Sequence, residues 1–165
     1  MAFGGLSKFH GTIKIGDSVK TIENNAFKNF FHLTGQLILP DSLESIGYHS
    51  FYGCTGFKGS LIIPNSVTTI GDKAFERCTG FQESLIIGNS ITTITTYAFY
   101  GCHYFMQNLT LGKNVNTIQD SAFANFSKLS SIYLSNSLKT IGDSVFYGCS
   151  GLSGQLILPD SLESI

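Results

Sequence analysis

At 165 residues, with 42% apolar and only 13% charged side chains, the chain is long enough for one domain with a substantial core and a weakly charged surface. A net charge of −1 and the lack of any basic run argue against nucleic acid or an anionic membrane as partner. No apolar stretch approaches the ~20 residues that span a bilayer.

Set against itself, the sequence matches strongly at an offset of 24 residues. In chain order the units read as a half repeat (2–11), full repeats at 12–35, 36–59, 60–83, 84–107, 108–130 and 131–154, and a closing half repeat (155–165). The unit 108–130 is one residue shorter than the others, and QLILPDSLESI at Gln36–Ile46 recurs letter for letter at Gln155–Ile165. No linker or second domain interrupts the series. Met1 leads into Ala-Phe-Gly-Gly, which lacks the basic start and apolar middle of a signal peptide. The chain begins inside a repeat, so any such signal would lie upstream.

Each repeat opens on a short alternating run. Leu61-Ile62-Ile63 aligns with Leu37-Ile38-Leu39, Leu85-Ile86-Ile87, Leu109-Thr110-Leu111 and Ile132-Tyr133-Leu134. The outer two members are always aliphatic, while the middle one varies. This period of two predicts a strand with Leu61 and Ile63 inward and Ile62 outward. Pro40, Pro64 and Pro159 share the next column with Gly16, Gly88 and Gly112, which stop the strand and start a turn. Val67 and Ile70 form a second inward pair. In the following segment Asp72, like Asp120 and Asp143, is placed to cap a short helical turn. Ala74 allows close packing, and a Phe column runs unbroken through Phe3, Phe27, Phe51, Phe75, Phe99, Phe123 and Phe146. One repeat cannot bury enough to offset its own chain entropy, so stability must come from stacking on neighbours.

LIIPNSVTTIGDKAFERC at Leu61–Cys78 carries the recurring pattern of strand, Pro, Gly, Ala-Phe and Cys. It resembles the BspA-like, Treponema-type leucine-rich repeat family over essentially the whole chain. The resemblance implies a right-handed, curved leucine-rich repeat solenoid. Short parallel β-strands line its concave face, with turns or short helical segments on the other side. It also implies a non-catalytic, cell-surface or secreted module that adheres to host matrix, host cells or other microbes through a protein or glycan ligand. Departures fall in two columns: Leu6, Phe30 and Phe126 replace Cys, and Glu23, Thr95 and Gln119 replace the Gly after Ile.

Cys54, Cys78, Cys102 and Cys149 share one column that elsewhere accepts Leu or Phe, which reads as core, although neighbouring rungs could oxidise if geometry allowed. No C-x-x-C zinc spacing occurs, and no metal or cofactor is expected. His10, His32, His49 and His103 fall in four different columns, with no reason to converge. Ser18, Ser42, Ser66, Ser90, Ser137 and Ser161 repeat in register, which suits turn or cap hydrogen bonds better than one activated hydroxyl. No nucleophile, base and orienting group are brought together, so no enzyme activity is expected. Of the sequons at Asn108 and Asn125, the first lies on a strand, which disfavours its glycosylation.

The outward strand column is the candidate binding site: Ile38, Ile62, Ile86, Thr110, Tyr133 and Ile157, preceded by Lys14 and flanked by Gln36, Ser60, Ser84, Asn108, Ser131 and Gln155. A row of isoleucines one strand apart makes an apolar stripe of the kind that marks interaction surfaces. The competing reading is isoleucine kept for strand propensity alone. Two further possibilities stand beside adhesion. One is an intracellular scaffold, compatible with free cysteines. The other is self-association through solenoid ends that would expose core if uncapped.

Overall fold

The computed structural model describes residues 10–153 and 156–165; the expectations for Phe3, Leu6, Gly154 and Gln155 lie outside these. Among the described residues the chain forms twelve strands of two or three residues and no helix. They are β1 (Ile13–Lys14), β2 (Thr21–Ile22), β3 (Leu37–Ile38), β4 (Ser45–Ile46), β5 (Leu61–Ile62), β6 (Thr69–Ile70), β7 (Leu85–Ile86), β8 (Thr93–Ile94), β9 (Asn108–Thr110), β10 (Thr117–Ile118), β11 (Ser131–Tyr133) and β12 (Thr140–Ile141). Each rung of the solenoid supplies one strand to each of two parallel ladders. Leu61 pairs with Leu85, and Leu85 with Leu109, while Asn108 pairs with Ser131 across the shorter rung.

The first ladder is the alternating run read from the sequence. Leu61 and Ile63 are buried and Ile62 is exposed. The second ladder holds the inward Ile of the Val67/Ile70 pair as a strand of its own, with Ile46 paired to Ile70 and Ile94 to Ile118. The first ladder breaks between β3 and β5 and the second between β6 and β8. The two gaps fall at different rungs, so no junction between rungs loses both ladders, and a single apolar cluster runs through the stack.

At the second gap the bonding changes. In that column the amides of Gly71, Gln119 and Gly142 donate to Ile46, Ile94 and Ile118 of the preceding rung at 2.8 Å. At Thr95 the hydroxyl donates to the Ile70 carbonyl at 3.0 Å in place of the amide. A buried acceptor thereby keeps a donor.

The third side of each rung takes the turn form of the expectation, and the helical turn capped by Asp72, Asp120 and Asp143 is not formed. The segment after each second strand is a ribbon of successive tight turns rather than a helical turn. In one rung the amides of Ala74, Glu76 and Cys78 each donate back three residues, to Gly71, Lys73 and Phe75. The amides between them, on Lys73, Phe75 and Arg77, donate to Thr96, Ala98 and Tyr100 of the next rung at 2.8–3.1 Å. A helix would keep all these bonds within the segment. The ribbon sends every second one to its neighbour, which adds a third ladder to the stack.

Such turns need two left-handed residues per rung. One column holds Asn25, His49, Lys73, Tyr97, Ser121 and Ser144, all at φ 53–58°. The other holds Asn29, Gly53, Arg77, Gly101, Asn125 and Gly148. The aspartates also act differently from helix caps: Asp120 Oδ1 accepts the amide of Asp143 in the next rung at 3.0 Å. In the second left-handed column, only Arg77 departs from Gly or Asn. Arg77→Gly is expected to stabilise the fold by about 0.5–1 kcal/mol, relief of a left-handed side chain outweighing glycine's extra chain entropy. A lower melting temperature in that variant would show that the contacts of Arg77 outweigh its backbone strain.

The core is built on stacked rings. Phe27, Phe51, Phe75, Phe99, Phe123 and Phe146 stack face to face at centroid spacings of 5.0–6.0 Å. A second stack runs Phe57, Phe81, Phe105 and Phe126 at 5.5–5.6 Å. Phe126 belongs to the cysteine column, one turn earlier in its rung than the other three. Its own rung carries Leu129 in the column of Phe105, and the rung with Phe30 carries Leu33 there. Rungs with Cys54, Cys78 and Cys102 instead carry Phe57, Phe81 and Phe105. The two columns exchange volume, so five consecutive rungs each hold one large and one smaller side chain in this layer.

Candidate functional site

The first ladder presents its middle column to solvent. Ile38 is 42% exposed, Ile62 55%, Ile86 39% and Tyr133 58%, and Thr110 is half-buried between Ile86 and Tyr133. Strand geometry forces this outward set, because Leu61 and Ile63 on either side of Ile62 fill the core. Ile62, Ile86, Thr110 and Tyr133 lie on consecutive strands of one four-stranded sheet. Ile38 belongs to the β1–β3 pair, opposite exposed Lys14, whose ammonium holds Asp17 at 3.2 Å.

Ile157 does not join the stripe. It lies outside any strand at 70% exposure, and Leu156 and Leu158, whose counterparts Leu37 and Leu39 are buried, are exposed with it. In this segment Ser164 bridges to Thr140 of the preceding rung. Beside the stripe the polar column is already in use. Ser60 Oγ donates to Glu83, Ser84 Oγ to Gln107 and Ser131 Oγ to Asn108, at 2.6–3.2 Å. Gln155 of this column lies outside the described residues.

The cysteine column is core. Cys54, Cys78 and Cys102 are buried free thiols, and each donates to the carbonyl of a Phe in the preceding rung at 2.9–3.1 Å. Burial pushes the Cys54 thiol up to about 12 and holds Cys78 and Cys102 far above the usual thiol range. Thiolate is the reactive form, so these three are expected to resist a thiol-reactive disulfide reagent until the protein unfolds. Half-buried Cys149 should react first. Mass spectrometry of the labelled native chain decides this; early labelling of Cys78 would contradict the packing.

The histidines do not all stand alone. His10 and His32, both exposed, meet edge to face at 6.4 Å. Their columns differ, but the return loop brings 22 residues of separation back to one place. His49 is half-buried, stacked on Tyr48 at 3.9 Å, with Lys28 Nζ 3.4 Å from its Nδ1. Burial first, then Lys28 and Lys73, hold its pKa below the usual histidine value. In the serine column the hydroxyls of Ser42 and Ser161 donate to Val19 and Leu138 of the preceding rung. They bridge rungs rather than cap their own turns. Of the sequon asparagines, Asn108 accepts from Ser131 at 2.6 Å and Asn125 sits half-buried at a left-handed ribbon position.

The sequence reading missed a cluster on the turn ribbon, where Lys28 lies over the Tyr52 ring and Lys73 over the Tyr97 ring, each at 5.4 Å. Its columns are chemically mixed, so no periodic signal marks it. Among the described residues no group of His, Cys, Asp and Glu could hold a metal ion. No helix there is long and apolar enough to cross a membrane.

Two parallel ladders, a turn ribbon and a stacked Phe core define a leucine-rich repeat solenoid. The family model for the BspA type leucine rich repeat region matches residues 1–81 and 57–165, in six copies, and the chain belongs to that family. Among solved structures it is similar to a leucine-rich repeat protein from Bacteroides ovatus, with 34% identity and a TM-score of 0.76 over 90% of this chain and 37% of that one. It is also similar to the leucine-rich repeat protein of T. pallidum, with 27% identity and a TM-score of 0.77 over 86% of this chain and 64% of that one. A leucine rich cell surface protein from Faecalibacterium prausnitzii shares the fold at 24% identity and a TM-score of 0.50, over 93% of this chain and 48% of that one. The chain thus spans less than two thirds of each of these proteins. No curated protein matches it.

Proposed function

We propose that the chain is a non-catalytic recognition module, displayed at a cell surface or secreted, that binds a protein or glycan ligand through the outward stripe of its first ladder. One observation carries this reading. Ile62 and Ile86 are exposed on adjoining strands, with exposed Tyr133 beyond half-buried Thr110 on the same sheet, while Leu61, Ile63, Leu85 and Ile87 beside the isoleucines are buried. A largely apolar row on a pre-formed sheet costs little to organise on binding. The described cell-surface nature of the Faecalibacterium protein with the same fold supports display outside the cell. Free thiols do not argue for an intracellular scaffold, because buried thiols with suppressed ionisation persist in an oxidising compartment as well.

The test is binding of the chain to a panel of host cells, matrix proteins and glycans, beside the Ile62→Lys/Ile86→Lys variant. Circular dichroism first checks that the variant is folded. Loss of a bound ligand in the folded variant places the site on the stripe. Undiminished binding by that variant would remove the stripe from the mechanism, and no binding to any ligand would remove the recognition role.

A further inference from the structure

The turn ribbon sets cations against tyrosine rings. Lys14, Lys20 and Lys139 each hold a carboxylate at 2.9–3.2 Å. Lys28 and Lys73 hold none within 4 Å among the described residues and lie over tyrosine rings instead. Arg77 donates from Nη1 to the Tyr52 hydroxyl at 3.3 Å, and its Nε stands 3.8 Å from Glu76. The Glu76 side chain is only 11% exposed and that of Arg77 is 62% exposed, so an approaching ligand meets the cation before the carboxylate. The nearest exposed acid in sequence is Asp72, in the column of Tyr48.

These side chains come from four consecutive rungs. The first gives Lys28, the second His49 and Tyr52, the third Lys73 and Arg77, and the fourth Tyr97. Rungs stack about 5 Å apart, so the cations of the first and third stand about 10 Å apart along the axis, with ring faces between them. Ring faces take the C–H surface of a sugar, and lysine or arginine takes a carboxylate. A neutral glycan would use only the rings and an acidic peptide only the cations. A polymer with a carboxylate on alternate sugars uses both, since one pyranose is about as long as one rung.

We propose that Lys28, His49, Tyr52, Lys73, Arg77 and Tyr97 form a second binding site, on a different side of the coil from the isoleucine stripe, for a carboxylate-bearing polysaccharide. The cation–ring contacts hold the site in shape before the ligand arrives, which limits the ordering cost of binding. The assignment deepens the recognition reading but does not depend on the stripe.

The probe is an octasaccharide of alternating glucuronate and N-acetylglucosamine, titrated calorimetrically into the full chain, with a neutral N-acetylglucosamine oligomer as control. Binding of the acidic sugar alone is expected, weakening as salt rises because Arg77 is exposed and Lys28 and Lys73 are only half-buried. Lys28→Gln/Lys73→Gln should weaken it by about tenfold or more while the melting temperature holds. Lys58→Gln/Lys113→Gln, which removes as much charge from exposed lysines outside both sites, should leave it unchanged. Ile62→Thr/Ile86→Thr, which removes stripe surface without adding charge, tells the two sites apart. No measurable binding, equal binding of the neutral oligomer, or equal binding by the Lys28→Gln/Lys73→Gln variant would overturn the site. A polyglutamate peptide bound as tightly as the sugar would overturn its assignment to a glycan. If the stripe variant alone loses the acidic sugar, this site fails and the stripe reading stands.

Discussion

Phe75→Ala is expected to cost about 3–5 kcal/mol, the full price of a large core ring deleted where the backbone cannot collapse. Phe75 is fully buried and stacks on Phe51 at 5.0 Å and on Phe99 at 5.4 Å, both nearly parallel. Its amide and the amides two residues either side are bonded to the next rung, so the ribbon holds the rung open around the lost ring. In a solenoid, stability is the sum of rung terms and nearest-neighbour contacts, and this deletion weakens two interfaces at once. Phe146→Ala should cost clearly less, about 1–3 kcal/mol, since Phe146 is half-buried and stacks on Phe123 at the longer spacing of 6.0 Å. Denaturant melts followed by circular dichroism give both numbers. A further expectation concerns shape: the Phe75 variant should melt in a broader or split transition as the two halves uncouple. Equal costs at the two sites, with sharp transitions, would mean that the ring stack does not couple the rungs.

How much of this was legible follows from which residues carry a periodic signal. The first ladder was readable because Leu61, Ile62 and Ile63 alternate and the alternation repeats in other rungs. The inward pair Val67/Ile70 was readable as core, but not as a second ladder, since a two-residue strand has no room to alternate. The ribbon was misread in part. Aspartate before Ala-Phe looks like a helix start, yet Asp120 reaches its neighbour's backbone instead of its own turn. The usable clue was the recurrence of Asn and Gly at Asn29, Gly53, Gly101, Asn125 and Gly148, which marks a left-handed position that a helix interior cannot hold.

The candidate sites divide the same way. Stripe residues declare themselves by sharing a column, as do the cysteines. The cluster around Tyr52 is assembled across rungs from columns that hold Lys, Tyr, Glu and His in turn, so only coordinates bring it together. What a surface binds is a different question from where it lies. A row of isoleucines fixes geometry and hydrophobicity without naming a ligand, because many protein and glycan surfaces satisfy both.

The exchange between the cysteine column and the neighbouring Phe column supplies the second large effect, and it is a test of packing rather than of composition. Cys54→Phe alone places a ring in a fully buried site beside Phe57, and overpacking of that kind costs about 1–3 kcal/mol. Phe57→Leu alone leaves space beside Cys54 and removes the stack on Phe81, which stands at 5.6 Å, for about 1–2 kcal/mol. The double variant reproduces the arrangement already present one rung beyond Phe105, where Phe126 with Leu129 continues the stack at 5.5 Å and 7°. Its cost should therefore fall well below the sum of the singles, with a coupling of about 1–3 kcal/mol. The residual cost is the hydrogen bond from Cys54 to the Phe27 carbonyl, about 1 kcal/mol, because that carbonyl still receives the Phe30 amide. Additive costs in the double-mutant cycle would show that the two columns pack independently. The chain would then owe its Phe30/Leu33 and Phe126/Leu129 pairings to the backbone of those two rungs, and not to a shared volume that either column can fill.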